Sequence, residues 1–185
     1  MRAYLDTNVL VAYFKPKDQY HFDSKIILNQ AKIRKVVSFL TLIEFSSVIF
    51  RLQKGGQIEF TSKMKEIISK IPQKHRAIVL SKYIVKKFNL NVLGAKELLN
   101  FKINDKAISF PLEFLKALSL SCELGLKTLD NLHIAIVALE NRVSRIDYFV
   151  TGDSDVINKR KIVLKVAGCP VLTPSEFTSL LGLRH

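Results

Sequence analysis

Apolar and polar positions along this chain fall into blocks whose period changes, and each block predicts an element. Ala3 to Leu5 is short, apolar and ends at Asp6. Val9 to Phe14 carries the apolar run onward until Lys15-Pro16 stops it, which predicts a strand, a turn and a short helix. Phe22, Ile26, Ile27 and Ile33 recur at helical spacing, and Val36-Val37-Ser38-Phe39 predicts a second strand. Thr41-Leu42-Ile43-Glu44 opens a helix with an apolar stripe of Phe45, Val48, Ile49 and Leu52, closed by Gly55-Gly56. Thr41 and Glu44 have the spacing of a capping box.

From Ile58 to Asn104 the pattern is helical and lysine-rich, with Met64, Ile67, Ile68 and Ile71 in one segment and Ile84, Val85 and Phe88 in another. This predicts an all-helical middle region, an insertion at about 57–108. Ser109, Pro111 and Gly125 bracket a helix containing Phe114, Leu115 and Leu118. Thr128 is placed to cap the next one, whose face carries Leu132, Ala135, Ile136 and Leu139. Tyr148-Phe149-Val150 then reads as a strand ending in Thr151-Gly152-Asp153, and Val171-Leu172 as a last short strand. Thr173-Pro174-Ser175-Glu176 begins a terminal helix with a capping box. Strands alternating with helices predict an α/β protein, an α/β/α sandwich around a mainly parallel sheet with an extra helical middle region. No internal repeat or low-complexity linker divides it, so one domain over 1–185 is expected.

Composition supports a buried core and adds a partner class. The 185 residues are 48% hydrophobic, enough for one substantial core. Lys and Arg total 29 against 16 Asp and Glu, a formal net charge of +13 that attracts polyanions such as nucleic acid. Cys122 and Cys169 have no CxxC spacing and no His cluster, so neither a disulfide framework nor a zinc site is indicated. No apolar run approaches the roughly 20 residues of a membrane span, and no secretory leader precedes the first strand. A reducing cytoplasm, with no membrane partner, is the expected setting.

Four acids give the pattern a chemistry. In an open parallel sheet the ligand crevice lies at the carboxyl ends of the strands, where Asp6 and Asp153 both fall. Glu44 lies in the first turn after strand two and Asp130 in the first turn of its own helix, both positioned to face the same crevice. Gathered carboxylates repel unless a cation neutralises them, and hard oxygen ligands suit Mg²⁺ or Mn²⁺.

The chain resembles the PIN-domain nucleases, including VapC-type toxins. The likeness lies in Leu5-Asp6-Thr7-Asn8-Val9-Leu10, in Glu44 after strand two, in Leu129-Asp130-Asn131-Leu132-His133-Ile134-Ala135, and in Thr151-Gly152-Asp153. Each motif alone is weak, while four in the family's order and setting are fairly specific. The resemblance implies an acidic quartet of Asp6, Glu44, Asp130 and Asp153, both catalytic and metal-binding, with Asn8 and Thr151 supporting it by hydrogen bonds. It implies Mg²⁺- or Mn²⁺-dependent hydrolysis of single-stranded or structured RNA. The role is either that of a toxin with an antitoxin partner or that of an RNA-processing nuclease. The long middle region departs from compact VapC-type toxins and is a candidate recognition or homodimerisation element.

Blander readings stand beside these. Glu44 suits an ordinary capping box, Asp130 a helix dipole and Asp153 a turn, with Asp155 as an alternative ligand. His133, one turn after Asp130, reads as a packing residue and is left out of the site. Lys63, Lys65, Lys70, Lys82, Lys86 and Lys87 read as solvated helix faces, with RNA contact a second reading. Asp6-Thr7-Asn8 and Gly152-Asp153-Ser154-Asp155 also resemble haloacid-dehalogenase-like phosphatase motifs, although Asn8 stands where that family needs a second Asp. A non-catalytic RNA-binding or partner-binding module is the third alternative.

Overall fold

Side chains that alternate along three short strands decide which helices cover which face. The structure is a computed structural model that describes residues 1–183 except 59, 61, 95, 96, 104 and 105, with backbone alone at 63 and 101–103. β1 (Arg2–Leu5), β2 (Arg34–Ser38), β3 (Asn91–Leu93), β6 (Tyr148–Val150) and β7 (Val171–Leu172) form one sheet in the order β3-β2-β1-β6-β7. Every pairing in it is parallel. Ala3, Leu5, Val37 and Val150 point to one face and Tyr4, Val36 and Phe149 to the other, and all seven are buried. A sheet buried on both sides needs a helical layer on each.

The first layer holds α1 (Thr7–Phe14), α2 (His21–Asn29), α3 (Phe39–Lys54), α5 (Gln73–Phe88) and α10 (Pro174–Leu180), with Val9, Leu10, Ile27, Phe45, Ile49, Ile84 and Phe177 in its core. The second holds α6 (Leu112–Leu124), α7 (Thr128–Val143), α8 (Ser154–Asn158) and α9 (Arg160–Ala167), packed through Leu120, Leu124, Ile134, Val137, Val156 and Val163. The α/β/α sandwich around a parallel sheet is therefore as the sequence pattern predicts. No helix among the described residues is long and apolar enough to cross a membrane.

The middle of the chain departs from the all-helical expectation. It supplies α4 (Ser62–Ser69) and α5, then turns to strand: β3 joins the main sheet, and β4 (Leu98–Ile103) pairs with β5 (Lys106–Pro111) in a separate antiparallel hairpin. β3 offers only three residues, too few for a period to show, and the hairpin's apolar positions imitate a helical stripe. Asn104 and the side chain of Lys63 lie outside the described residues.

Two helix starts also shift, with consequences for the site. Ser38, not Thr41, caps α3: its hydroxyl accepts from the Thr41 amide and Thr41 bonds back to the Ser38 amide. Glu44 therefore stands a turn and a half inside the helix, outside any capping box. α7 begins at Thr128 with Lys127 as its N-cap, so Thr128 is the first helical residue rather than the cap. On α6 the stripe turns outward, leaving Phe114 and Leu118 exposed while Ala117, Leu120 and Leu124 are buried.

Candidate active site

Strand order reverses direction between β1 and β6, because the chain goes from β1 outward to β2 and later returns to β6 on β1's other side. The loops leaving the carboxyl ends of such a neighbouring pair diverge and open a crevice. Asp6 leaves β1 there and Thr151-Gly152-Asp153 leaves β6. Both acids also cap helices. The Asp6 carboxylate accepts from the Thr7 amide at 2.6 Å, and Asp153 Oδ1 accepts from the Asp155 amide at 2.7 Å and the Val156 amide at 3.4 Å. The capping and site readings of these residues thus coincide.

Asp6 is buried and fully engaged. Its Oδ2 accepts from Asn8 Nδ2 at 2.7 Å and from the Thr151 hydroxyl at 2.6 Å. Asn8 also donates to Thr151 Oγ1 at 2.9 Å and accepts the Gly152 amide at 2.7 Å, so it clamps the β1 and β6 loops together. Thr151 in turn accepts the Asp153 amide at 3.0 Å. Gly152 is needed for a steric reason: a Cβ there would lie 2.8 Å from two ring carbons of Tyr20.

Glu44 reaches the crevice from α3. Its Oε2 accepts from the Thr7 hydroxyl at 2.7 Å and lies 2.6 Å from His133 Nε2. Burial works against its charge, but hydrogen bonds from His133 and Thr7 hold its pKa below the ordinary glutamate value. His133, excluded by the sequence reading as a packing residue, is buried against both acids, with Nε2 also 3.6 Å from Asp6 Oδ1. Its Nδ1 lies 2.7 Å from the Tyr4 hydroxyl. Burial opposes its charge, yet electrostatic interaction with Tyr4, the Glu44 hydrogen bond and the Asp6 carboxylate together raise its pKa well above the ordinary histidine value. A signal existed: three residues after Asp130 lies the same helix face, and that face leads into the core.

Asp130, on α7, stands outside the close group of Asp6, Glu44 and His133, as does Asp153, but within electrostatic reach of Asp153 and Asp6. Its pKa is pushed up to about 6, first by burial and then by the charges of Asp153 and Asp6. Its Oδ2 is buried with no hydrogen-bond partner among the described residues. A buried carboxylate oxygen without a partner, within electrostatic reach of two further carboxylates, is the observation that a divalent ion fits. Asp6, Glu44 and His133 each offer a ligand atom, all within 4.8 Å of one another. Asp155 is exposed and pairs with Lys127 at 3.1 Å, raising the lysine's pKa.

Residues 3–162 match the family model of the PIN domain. The chain belongs to the PIN-domain family. No curated protein matches its sequence. Among solved structures, this PIN domain is similar in fold to VapC20 of Mycobacterium tuberculosis, a sarcin–ricin loop cleaving toxin, at 17% identity and TM-score 0.51, covering 84% of this chain and 93% of that one. VapBC2 from Rickettsia felis bound to a promoter DNA fragment aligns at 14% identity and TM-score 0.49, over 94% and 98% of the two chains. A toxin–antitoxin complex from Klebsiella pneumoniae aligns at 17% and 0.46, over 93% and 97%.

Proposed function

We propose that this PIN domain is a metal-dependent endoribonuclease acting on RNA phosphodiester bonds, with Asp6, Glu44, Asp130 and Asp153 as its metal-binding and catalytic residues. The observation that carries the reading is the buried, unpartnered Asp130 oxygen, whose carboxyl feels the charges of Asp153 and Asp6. Mg²⁺ or Mn²⁺ bound there would supply a Lewis acid and an activated water for in-line attack on phosphorus.

The chain's own residues do the positioning. Asn8 and Thr151 fix Asp6, and Thr7 and His133 fix Glu44, so these two carboxylates are held before any ligand arrives. The net charge of +13 draws the RNA to an otherwise acidic crevice. Asn8 is a carboxamide with no proton to give up, so the phosphatase alternative lacks its general acid at that position. Working in the cytoplasm belongs to the same reading.

The toxin role is part of this proposal, since VapC20, similar in fold, is described as a toxin that cuts the sarcin–ricin loop. An antitoxin would find an apolar seat in the groove of about 630 Å³ between α3 and α5, lined by Phe39, Leu42, Ile43, Phe50, Ile78 and Val85. Homodimerisation through the same face is the competing use. The test of the activity is cleavage of a generic single-stranded RNA with Mn²⁺ or Mg²⁺ and with chelator. Cutting that chelator abolishes supports the proposal. Hydrolysis of a small phosphate ester with RNA left intact contradicts it.

A further inference from the structure

We infer that His133 is itself a metal ligand, giving this site a nitrogen donor beside its carboxylates. The inference rests on the metal-dependent reading above and adds the coordinating atom. His133 is 2% exposed, and its Nε2 faces two carboxylate oxygens, at 2.6 Å from Glu44 and 3.6 Å from Asp6. Ligands at right angles around an ion with bonds of about 2.1 Å lie about 3 Å apart, and the two observed spacings bracket that value.

The far side of the ring fixes its direction. Nδ1 lies 2.7 Å from the Tyr4 hydroxyl, which donates onward to Ser38 Oγ at 2.9 Å. With the phenolic proton directed to Ser38, the Tyr4 oxygen is left to accept the Nδ1 hydrogen. That leaves Nε2 as the nitrogen turned to the crevice, where its proton, donated to Glu44 at 2.6 Å, is the one that a bound ion would displace. Metal-bound imidazoles characteristically donate their other ring N–H to such an oxygen acceptor. Tyr4 and Ser38 are buried, and Tyr4 packs edge-on to the ring at 5.9 Å between centroids, so the orientation is built into β1 and the start of α3. An imidazole donor suits transition ions, while an all-oxygen set suits Mg²⁺.

Pulsed electron paramagnetic resonance of the full chain loaded with Mn²⁺ reads the donor atoms without reference to activity. The inference expects nitrogen modulation on the bound ion that changes when histidine is labelled with ¹⁵N and disappears in His133→Gln. Tyr4→Phe, which keeps the packing but loses the acceptor, is expected to weaken Mn²⁺ binding about 10-fold or more, the usual cost of losing an outer partner of a ligating histidine. Bound Mn²⁺ with no nitrogen modulation in the unaltered protein, or modulation that persists in His133→Gln, overturns the inference and leaves the carboxylate site standing. Failure of the unaltered chain to bind Mn²⁺ overturns both.

Discussion

His133 on α7 and Glu44 on α3 meet at 2.6 Å, although their helices cover opposite faces of the sheet. The contact passes around the carboxyl end of β1, where Asp6 lies 3.6 Å from the same imidazole nitrogen. The two helical layers are thus tied together through the acidic crevice itself. Changes there report on charge and on packing at once, and the two have to be separated by experiment.

Asp130 gives one separation through pH. Its folded pKa of about 6 lies above the ordinary 3.8, so between these values the native state holds more protons than the unfolded chain. Stability of the metal-free protein therefore falls as pH rises from about 4 to about 6, and the penalty is complete at pH 7. Asp130→Asn should raise metal-free stability at pH 7 by about 1 kcal/mol, allowing for its partial exposure, and the gain should vanish near pH 4. Thermal unfolding across that range measures it. A variant less stable than the parent at pH 7 would show Asp130 to be structural.

Much of this was legible in the chain because local rules and tertiary structure agree. Apolar triplets such as Tyr148-Phe149-Val150 became strands, and the acids that follow them reached the crevice because strand ends converge there. The hairpin of β4 and β5 was read as helix although Leu99, Phe101 and Ile103 alternate with Asn100 and Lys102, because Leu99, Ile103, Ala107 and Phe110 also recur at helical spacing. His133 was missed for another reason. A buried histidine and a buried packing residue have the same pattern, and its partners Tyr4 and Glu44 lie 129 and 89 residues away.

Gly152 carries a steric prediction. An alanine methyl would meet the Tyr20 ring at 2.8 Å and come within 3.4 Å of Asn8 Oδ1, so either the ring or the β6 loop must move. Gly152→Ala should cost about 1–3 kcal/mol, the usual penalty for overpacking, and should lower activity by loosening the Asn8–Gly152 hydrogen bond. Chemical denaturation beside an RNA-cleavage assay checks both. Unchanged stability and unchanged cleavage would mean that Tyr20 moves aside freely.

Salt dependence tests the substrate class. A chain of net charge +13 that holds phosphates through released counterions should lose RNA affinity by about 10-fold or more between roughly 50 and 200 mM salt. Fluorescence anisotropy with an uncleaved RNA in chelator measures it. A flat response would remove the charge as support for a nucleic-acid substrate.

Asp6→Asn tests the central claim most directly, because asparagine caps a helix about as well as aspartate and keeps its size. Folding stability without metal should fall by about 1–3 kcal/mol, because the new side-chain NH2 takes the place of an oxygen that accepts from Asn8 and Thr151, a cost that the loss of one repelling charge offsets in part. In the parent, Mn²⁺ at 100 times its dissociation constant should add about 2.7 kcal/mol of stability, and the variant should lose most of that gain. Cleavage of a generic single-stranded RNA should fall by more than about 100-fold, beyond the loss expected for an outer partner of a ligand. A folded Asp6→Asn protein that still gained stability from Mn²⁺ and cut RNA at the parental rate would contradict the account.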